Sequence, residues 1–259
     1  MDLISTVILG ILQGLTEFLP VSSSAHLVVG QHLLGVRQPG MLMEVALHLG
    51  TLLSVVVYFR HDLSQLVRGS LLAGRAGAEE RREVGYLALA TLPAVLVALT
   101  LADQVSAAFE NIALVGAMLL VTSLVLASSR LIHSRDGVRM TWLIALIIGS
   151  AQAVAILPGI SRSGLTIVAG LWLGLGGVAA ARFSFLMAVP AILGAGLLQG
   201  LEVVRSGILP TPGLAVGLVV AGITGYAVIA WLLDIVRKRR LYLFAGYTML
   251  VGLTVIFRL

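Results

Sequence analysis

Ile156-Leu-Pro-Gly-Ile-Ser-Arg-Ser-Gly-Leu-Thr166 sets one arginine, three hydroxyls and a Pro-Gly break inside long apolar, charge-free runs. An arginine at bilayer depth costs about 2.5–3.5 kcal/mol on insertion scales, so Arg162 reads as functional and in need of an anionic partner. Two structural alternatives are a pairing with a buried glutamate and a side chain that snorkels to the interface. Snorkelling explains neither Ser161, Ser163 and Thr166 nor the chain break at Pro158-Gly159. A guanidinium beside hydroxyls and irregular backbone is phosphate-binding chemistry.

Working outward, the chain of 259 residues is 59% hydrophobic and only 11% charged, with a mean hydropathy of +1.06. A soluble domain carries about 25% charged residues, so the fold class expected is an all-α polytopic membrane protein. It reads as a single transmembrane domain over residues 1–259, since no polar stretch exceeds a loop. Residues 1–20 lack a basic leader and a small-residue cleavage site, and are expected to be retained. Without cysteine there is no disulfide, thiolate metal site or thiol nucleophile. The net charge of +5 does not imply nucleic acid, because the basic residues lie in loops between apolar segments.

Six segments are long enough to span, at about 41–59, 85–102, 112–129, 183–201, 213–233 and 241–257. Two more, 2–35 and 140–175, are interrupted by Pro20 and by Pro158-Gly159, and are expected to form re-entrant hairpins of two half-helices. With loop 60–84 placed inside, 13 of the 17 basic residues fall on that face. Arg37, Arg205 and Arg258 fall outside. The chain also repeats itself at an offset of 138–139: Gly10-Ile-Leu-Gln13 against Gly149-Ser-Ala-Gln152, Leu19-Pro20 against Leu157-Pro158, Leu34-Gly35 against Leu173-Gly174. Three crossings separate the copies (about 1–130 and 139–259), which makes this an inverted repeat with its site expected near the midplane.

The first break reads Gln13-Gly-Leu-Thr-Glu17-Phe-Leu-Pro-Val-Ser22-Ser-Ser24-Ala-His26. Gln13 and Glu17 share a helix face. A carboxylate in apolar surroundings must be paired, protonated or metal-bound. The serine run can cap the second half-helix, and His26 falls in its first turns. Together the breaks offer a carboxylate, an imidazole, hydroxyls, an arginine and two helix N-termini, a set suited to phosphoryl transfer. Among the remaining polar residues, Glu44 and His48 lie four apart and form either a second layer behind the site or a plain buried pair. His32, His61 and His133 read as solvated.

Gln-x-x-x-Glu at 13–17, Phe-Leu-Pro-Val-Ser-Ser with His26, and Pro-Gly-x-Ser-Arg-Ser-x-x-Thr at 158–166 resemble the undecaprenyl-diphosphate phosphatase family of the bacitracin-resistance type. The likeness extends to Glu44-x-x-x-x-Leu49-Gly50 and Arg182-Phe-Ser-Phe-Leu-x-x-x-Pro190. It implies a multi-pass enzyme of the inner or plasma membrane that hydrolyses undecaprenyl diphosphate and recycles the carrier for cell-wall synthesis, with its site open to the periplasmic or outer face. It further implies Glu17, His26, Ser23 and Arg162 as catalytic residues, and Ser24, Ser161, Arg162, Ser163 and Thr166 as phosphate ligands. A divalent cation, Mg²⁺ or Ca²⁺, would be held by Glu17 with Gln13. Two positions depart from the family: Gln13 stands where many relatives have glutamate, which weakens a two-carboxylate metal site, and His48 where glutamine is usual.

The partners expected are a polyprenyl diphosphate and membrane lipids, with no nucleic acid; a homodimer is the assembly left open. A lipid-phosphate transporter using the same midplane site is the competing function, although a proton donor beside the phosphate favours hydrolysis. A bare membrane scaffold leaves the intramembrane polar residues unexplained. The nucleophile stays open between His26, Ser23 and water.

Overall fold

The computed structural model describes residues 3–36, 41–132, 138–206 and 212–258. Arg37, His133 and Arg135 lie outside the described residues, as does the side chain of Arg205. The described chain is helical: α1 (Leu3–Phe18), α2 (Ser23–Leu33), α3 (Met41–Tyr58), α4 (Arg60–Leu71), α5 (Ala78–Thr100), α6 (Ala102–Glu110), α7 (Ile112–Ser128), α8 (Trp142–Val154), α9 (Arg162–Trp172), α10 (Gly177–Ser206), α11 (Pro212–Arg237) and α12 (Leu243–Arg258).

Helices covering Gly74–Thr100, Ile112–Leu131, Gly177–Leu198 and Pro212–Arg237 are long and apolar enough to cross a bilayer. A fifth span is reached if α3 and α4, bent by 74°, count as one. The segment expected at 241–257 forms α12, of 16 residues. At 1.5 Å per residue that is about 24 Å, short of a hydrocarbon core of about 30 Å, so the six expected spans become four or five. The chain is thus a multi-pass, all-helical membrane protein.

Both interrupted regions fold as helix–break–helix pairs. α1 and α2 are separated by residues 19–22, α8 and α9 by residues 155–161, and each pair is in mutual contact. The caps follow from the sequence. Ser22 and Ser161 are the N-caps of α2 and α9, their side chains accepting from the N–H of Ala25 and Gly164. The two helices also end alike. Gly35 (φ 62°) and Gly174 (φ 86°) take the left-handed conformation. There Gly35 N–H and Val36 N–H donate to His32 and Gln31, while Gly174 and Leu175 donate to Leu171 and Gly170.

Around the pairs, α1 and α3 pack on α11, α8 and α10 on α5, α12 on α7, and α10 on α3. Close approach depends on small residues: Gly14 of α1 lies against Ala221, Thr224 and Gly225 of α11, and Gly116 of α7 against Gly252 of α12. The largest apolar cluster, with Phe18, Phe59, Phe183, Phe185 and Ile229, encloses the first break. On the basic side, Arg182 of α10 reaches Asp62 of α4 (2.5 Å) and Glu83 of α5.

A Cβ on Gly14 would sit 2.7 Å from the Ala221 carbonyl oxygen and 2.9 Å from the Gly225 nitrogen, both backbone atoms that cannot rotate away. We expect Gly14→Ala to destabilise the protein by about 1–3 kcal/mol, read as a lowered thermal midpoint in detergent; an unchanged midpoint would show that the α1–α11 contact is slack.

Candidate functional site

Glu17 is in the last turn of α1 and is 7% exposed. Arg162 is the first residue of α9, and its Nη2 donates to Glu17 Oε1 at 2.5 Å across 145 positions of sequence. The other carboxylate oxygen, Oε2, accepts from Ser23 Oγ at 2.6 Å and from Gln13 Nε2 at 3.1 Å. His48 Nε2 of α3 stands 3.8 Å from the same oxygen. Its Nδ1 lies 2.8 Å from the Glu44 carbonyl, which can only accept, so that nitrogen carries a proton.

The first break touches the first turn of α9. Ser163 Oγ donates to the Leu19 carbonyl at 3.2 Å, and a Cβ on Gly164 would meet Pro20. Behind the second break, Thr122 Oγ1 of α7 donates to the Gly159 carbonyl (2.9 Å) and accepts from Ser161 N–H (3.0 Å). Gly159 sits at φ 98°, with the Val115 carbonyl and Met118 in the space a side chain would fill. A residue other than glycine is excluded there on both counts.

In front of the breaks lies a cavity of about 300 Å³, lined on its polar side by Thr16, Glu17, Ser22, Ser23, Ser24, Ser161, Arg162, Glu44 and His48. Apolar walls come from Ile156, Phe109, Ile192 and neighbouring residues of α3 and α10. Both capped N-termini begin at this wall, so their first-turn N–H groups add to the hydroxyls and the guanidinium. Such a surface is built for an anion. The glutamate that pairs with Arg162 also accepts from a serine hydroxyl at the cavity wall.

Of the residues expected at the site, Glu17, Ser23, Ser24, Ser161 and Arg162 meet at this cavity. The others are placed differently. Gln13 is fully buried behind Glu17. Ser163 is spent on Leu19, and Thr166 Oγ1 on the Arg162 carbonyl and on Ser184 Oγ (2.7 Å each). These two brace the start of α9 instead of lining the cavity. His26 is also absent from the lining: its ring is turned to α12, where Nε2 meets Tyr247 Oη at 2.8 Å. His48 and Glu44, set apart in the sequence as a second layer or a buried pair, are in the wall itself. The glutamate-to-histidine spacing of four was the available signal. For Tyr247, 221 positions from His26 and outside every motif, there was none.

The donor set does not fit a divalent cation held by the protein alone. Two carboxylates line the cavity: both oxygens of Glu17 already accept from side-chain donors, and Glu44 Oε1 accepts from Gln31 Nε2 at 3.4 Å. Gln13 offers a neutral carbonyl oxygen, buried and without a partner. No group of three His, Cys, Asp or Glu suited to a metal occurs among the described residues.

The family model described as "Bacitracin resistance protein BacA" matches residues 6–254. A protein of Syntrophotalea carbinolica named undecaprenyl-diphosphatase is 46% identical over 255 residues, covering 97% of both chains. Proteins of the same name from Desulfosudis oleivorans (42% identical, 97% of both chains) and Pseudarthrobacter chlorophenolicus (40%, 98% of this chain and 95% of the other) are similarly close.

For the substrate-free protein we expect no saturable uptake of Mg²⁺ or Ca²⁺ below the millimolar range by isothermal titration calorimetry. A micromolar site lost in Glu17→Gln would show that the carboxylate exchanges Arg162 for a metal.

Proposed function

This chain belongs to the BacA family of bacitracin resistance proteins, and on that premise we propose that it hydrolyses undecaprenyl diphosphate to undecaprenyl phosphate and inorganic phosphate at the Glu17–Arg162 cavity. One observation carries the reading: a serine hydroxyl lies 2.6 Å from a carboxylate oxygen, with a guanidinium 2.5 Å from the other. A serine so held is an activated nucleophile, and the carboxylate is its base. Ser23 Oγ attacks the terminal phosphorus and its proton passes to Glu17. The bond from that phosphorus to the bridging oxygen breaks, and undecaprenyl phosphate leaves with that oxygen and the proton from Glu17. Water then attacks the phosphoserine; Glu17 takes its proton and returns it to Ser23 Oγ as inorganic phosphate departs.

Arg162 has N–H groups beyond the one given to Glu17, and these, with Ser22, Ser24, Ser161 and the N-termini of α2 and α9, neutralise the phosphoryl oxygens. The metal that the family resemblance implies has no all-protein cage here, and no step above runs through one.

The proposal extends to topology: two re-entrant hairpins in an inverted repeat, with a cavity near mid-membrane that opens to the outer side of the cell membrane. Exchanging α1 with α8, α3 with α10, α5 with α11 and α7 with α12 turns the α1–α11 contact into α8–α5 and α3–α11 into α10–α5. The same exchange leaves α7–α12 and α3–α10 unchanged, which supports the repeat. The contacts of Arg182 with Asp62 and Glu83 join segments that positive-inside counting puts on one face. The cavity residues His48 and Ile192 stand 10 positions each from Tyr58, the last residue of α3, and from Arg182 of α10, about 15 Å from that face. Access from the outer side suits recovery of a carrier released there during cell-wall synthesis, with the prenyl tail leaving sideways into lipid.

Phosphate release from detergent-purified protein tests the chemistry. Ser23→Ala should lose at least about a thousandfold in kcat, as removal of a nucleophile does; near-normal release would overturn the serine step. Arg162→Lys should lose about a hundredfold, the scale of one transition-state donor, because an ammonium is a point charge where the guanidinium is a planar fork. Near-wild-type turnover in the lysine variant would reduce Arg162 to a counter-ion.

A further inference from the structure

The cavity accounts for Ser23 and Glu17 but leaves His26 outside it, buried and with both ring nitrogens engaged. His26 Nδ1 is 2.8 Å from the Ser22 carbonyl, which can only accept, so Nδ1 carries the proton. In the neutral ring Nε2 then bears the lone pair, and Tyr247 Oη, 2.8 Å away, donates into it. The two rings are nearly parallel, at 12° with centroids 5.6 Å apart, as a hydroxyl donated into the in-plane lone pair allows. Tyr247 itself is 47% exposed on α12 and takes no part in the cavity wall.

Ser22 shows what this arrangement serves. It is a non-glycine residue at φ 72°, a conformation that L side chains rarely adopt. Its carbonyl receives both the Nδ1–H and the backbone N–H of His26, and its Oγ accepts from Ala25 N–H. The dihedral angles of Ser22 fix the direction in which Ser23 leaves the chain, and so place Ser23 Oγ against Glu17.

We infer that Tyr247 is a positioning residue, which through His26 holds the strained Ser22 turn and thereby aims Ser23 Oγ at the phosphate. Resting on Ser23 as nucleophile, this makes His26 a strut in place of an attacking group. Its Nε2 lone pair is filled by a hydroxyl from α12, so it is not open to phosphorus.

The test uses full-length protein in detergent with undecaprenyl diphosphate. Tyr247→Phe keeps the ring and removes the hydroxyl; we expect kcat to fall roughly tenfold with KM and the thermal midpoint unchanged, as for a misaimed but intact site. His26→Asn keeps an N–H near the Nδ1 position and lacks the Nε2 lone pair. It should stay within about tenfold of wild type, and the double variant His26→Asn with Tyr247→Phe should be no slower than His26→Asn alone, because Tyr247 acts only through that ring. An unchanged kcat in Tyr247→Phe, or additive losses in the double variant, overturns the positioning role. Rapid quench separates this from failure of the serine step: phosphate trapped on His26 defeats both, whereas phosphate on Ser23 with a normal Tyr247→Phe defeats only the role of Tyr247.

Discussion

The ion pair between Arg162 and Glu17 is the constraint on which the rest of the structure depends. Each charge alone at membrane depth is strongly unfavourable, and removing one partner of such a pair leaves the other uncompensated at a cost of about 3–5 kcal/mol. The pair therefore fixes the last turn of α1 to the first turn of α9, and both breaks must stand where these ends meet. Ser163 with Leu19, Gly164 against Pro20 and Thr122 across the second break are all consequences of that junction. The carboxylate that neutralises Arg162 also accepts from Ser23, the hydroxyl proposed as nucleophile.

Charge balance suits a glutamine at position 13. A second carboxylate there would set like charges side by side one helical turn apart, and a cation would have to join them. The glutamine amide instead donates to Glu17 Oε2, and Arg162 meets a single anion through its other oxygen, Oε1. The cavity wall thus presents hydroxyls, a guanidinium and helix N-termini, donors of the kind that suit a phosphate.

Because the polar junction is buried among helices, its precision rests on how closely those helices approach. Gly14 of α1 is one residue from Gln13 and three from Glu17, and its contact with α11 sets the height of the carboxylate. α12 contributes from further out, through a tyrosine that steadies a histidine that in turn steadies a turn. Apolar contact supplies stability without direction, whereas these hydrogen bonds supply the direction phosphoryl transfer requires.

The sequence by itself determined the membrane class, the two breaks, a capping serine run after the first of them and an intramembrane arginine in need of an anionic partner. Each depends on composition or on residues close in the chain: hydropathy, Pro20 and Pro158-Gly159, the serine run at 22–24, and the cost of a lone charge in lipid. The tertiary structure alone decided which polar groups face the cavity. His26, Ser163 and Thr166 carry the residue types of a site yet turn to Tyr247, Leu19 and Ser184, while His48 and Glu44 reach the wall. The direction of a side chain around a helix is set by which neighbour offers the better hydrogen bond and the closer fit. Those neighbours lie up to 221 positions away, where no local spacing reports them.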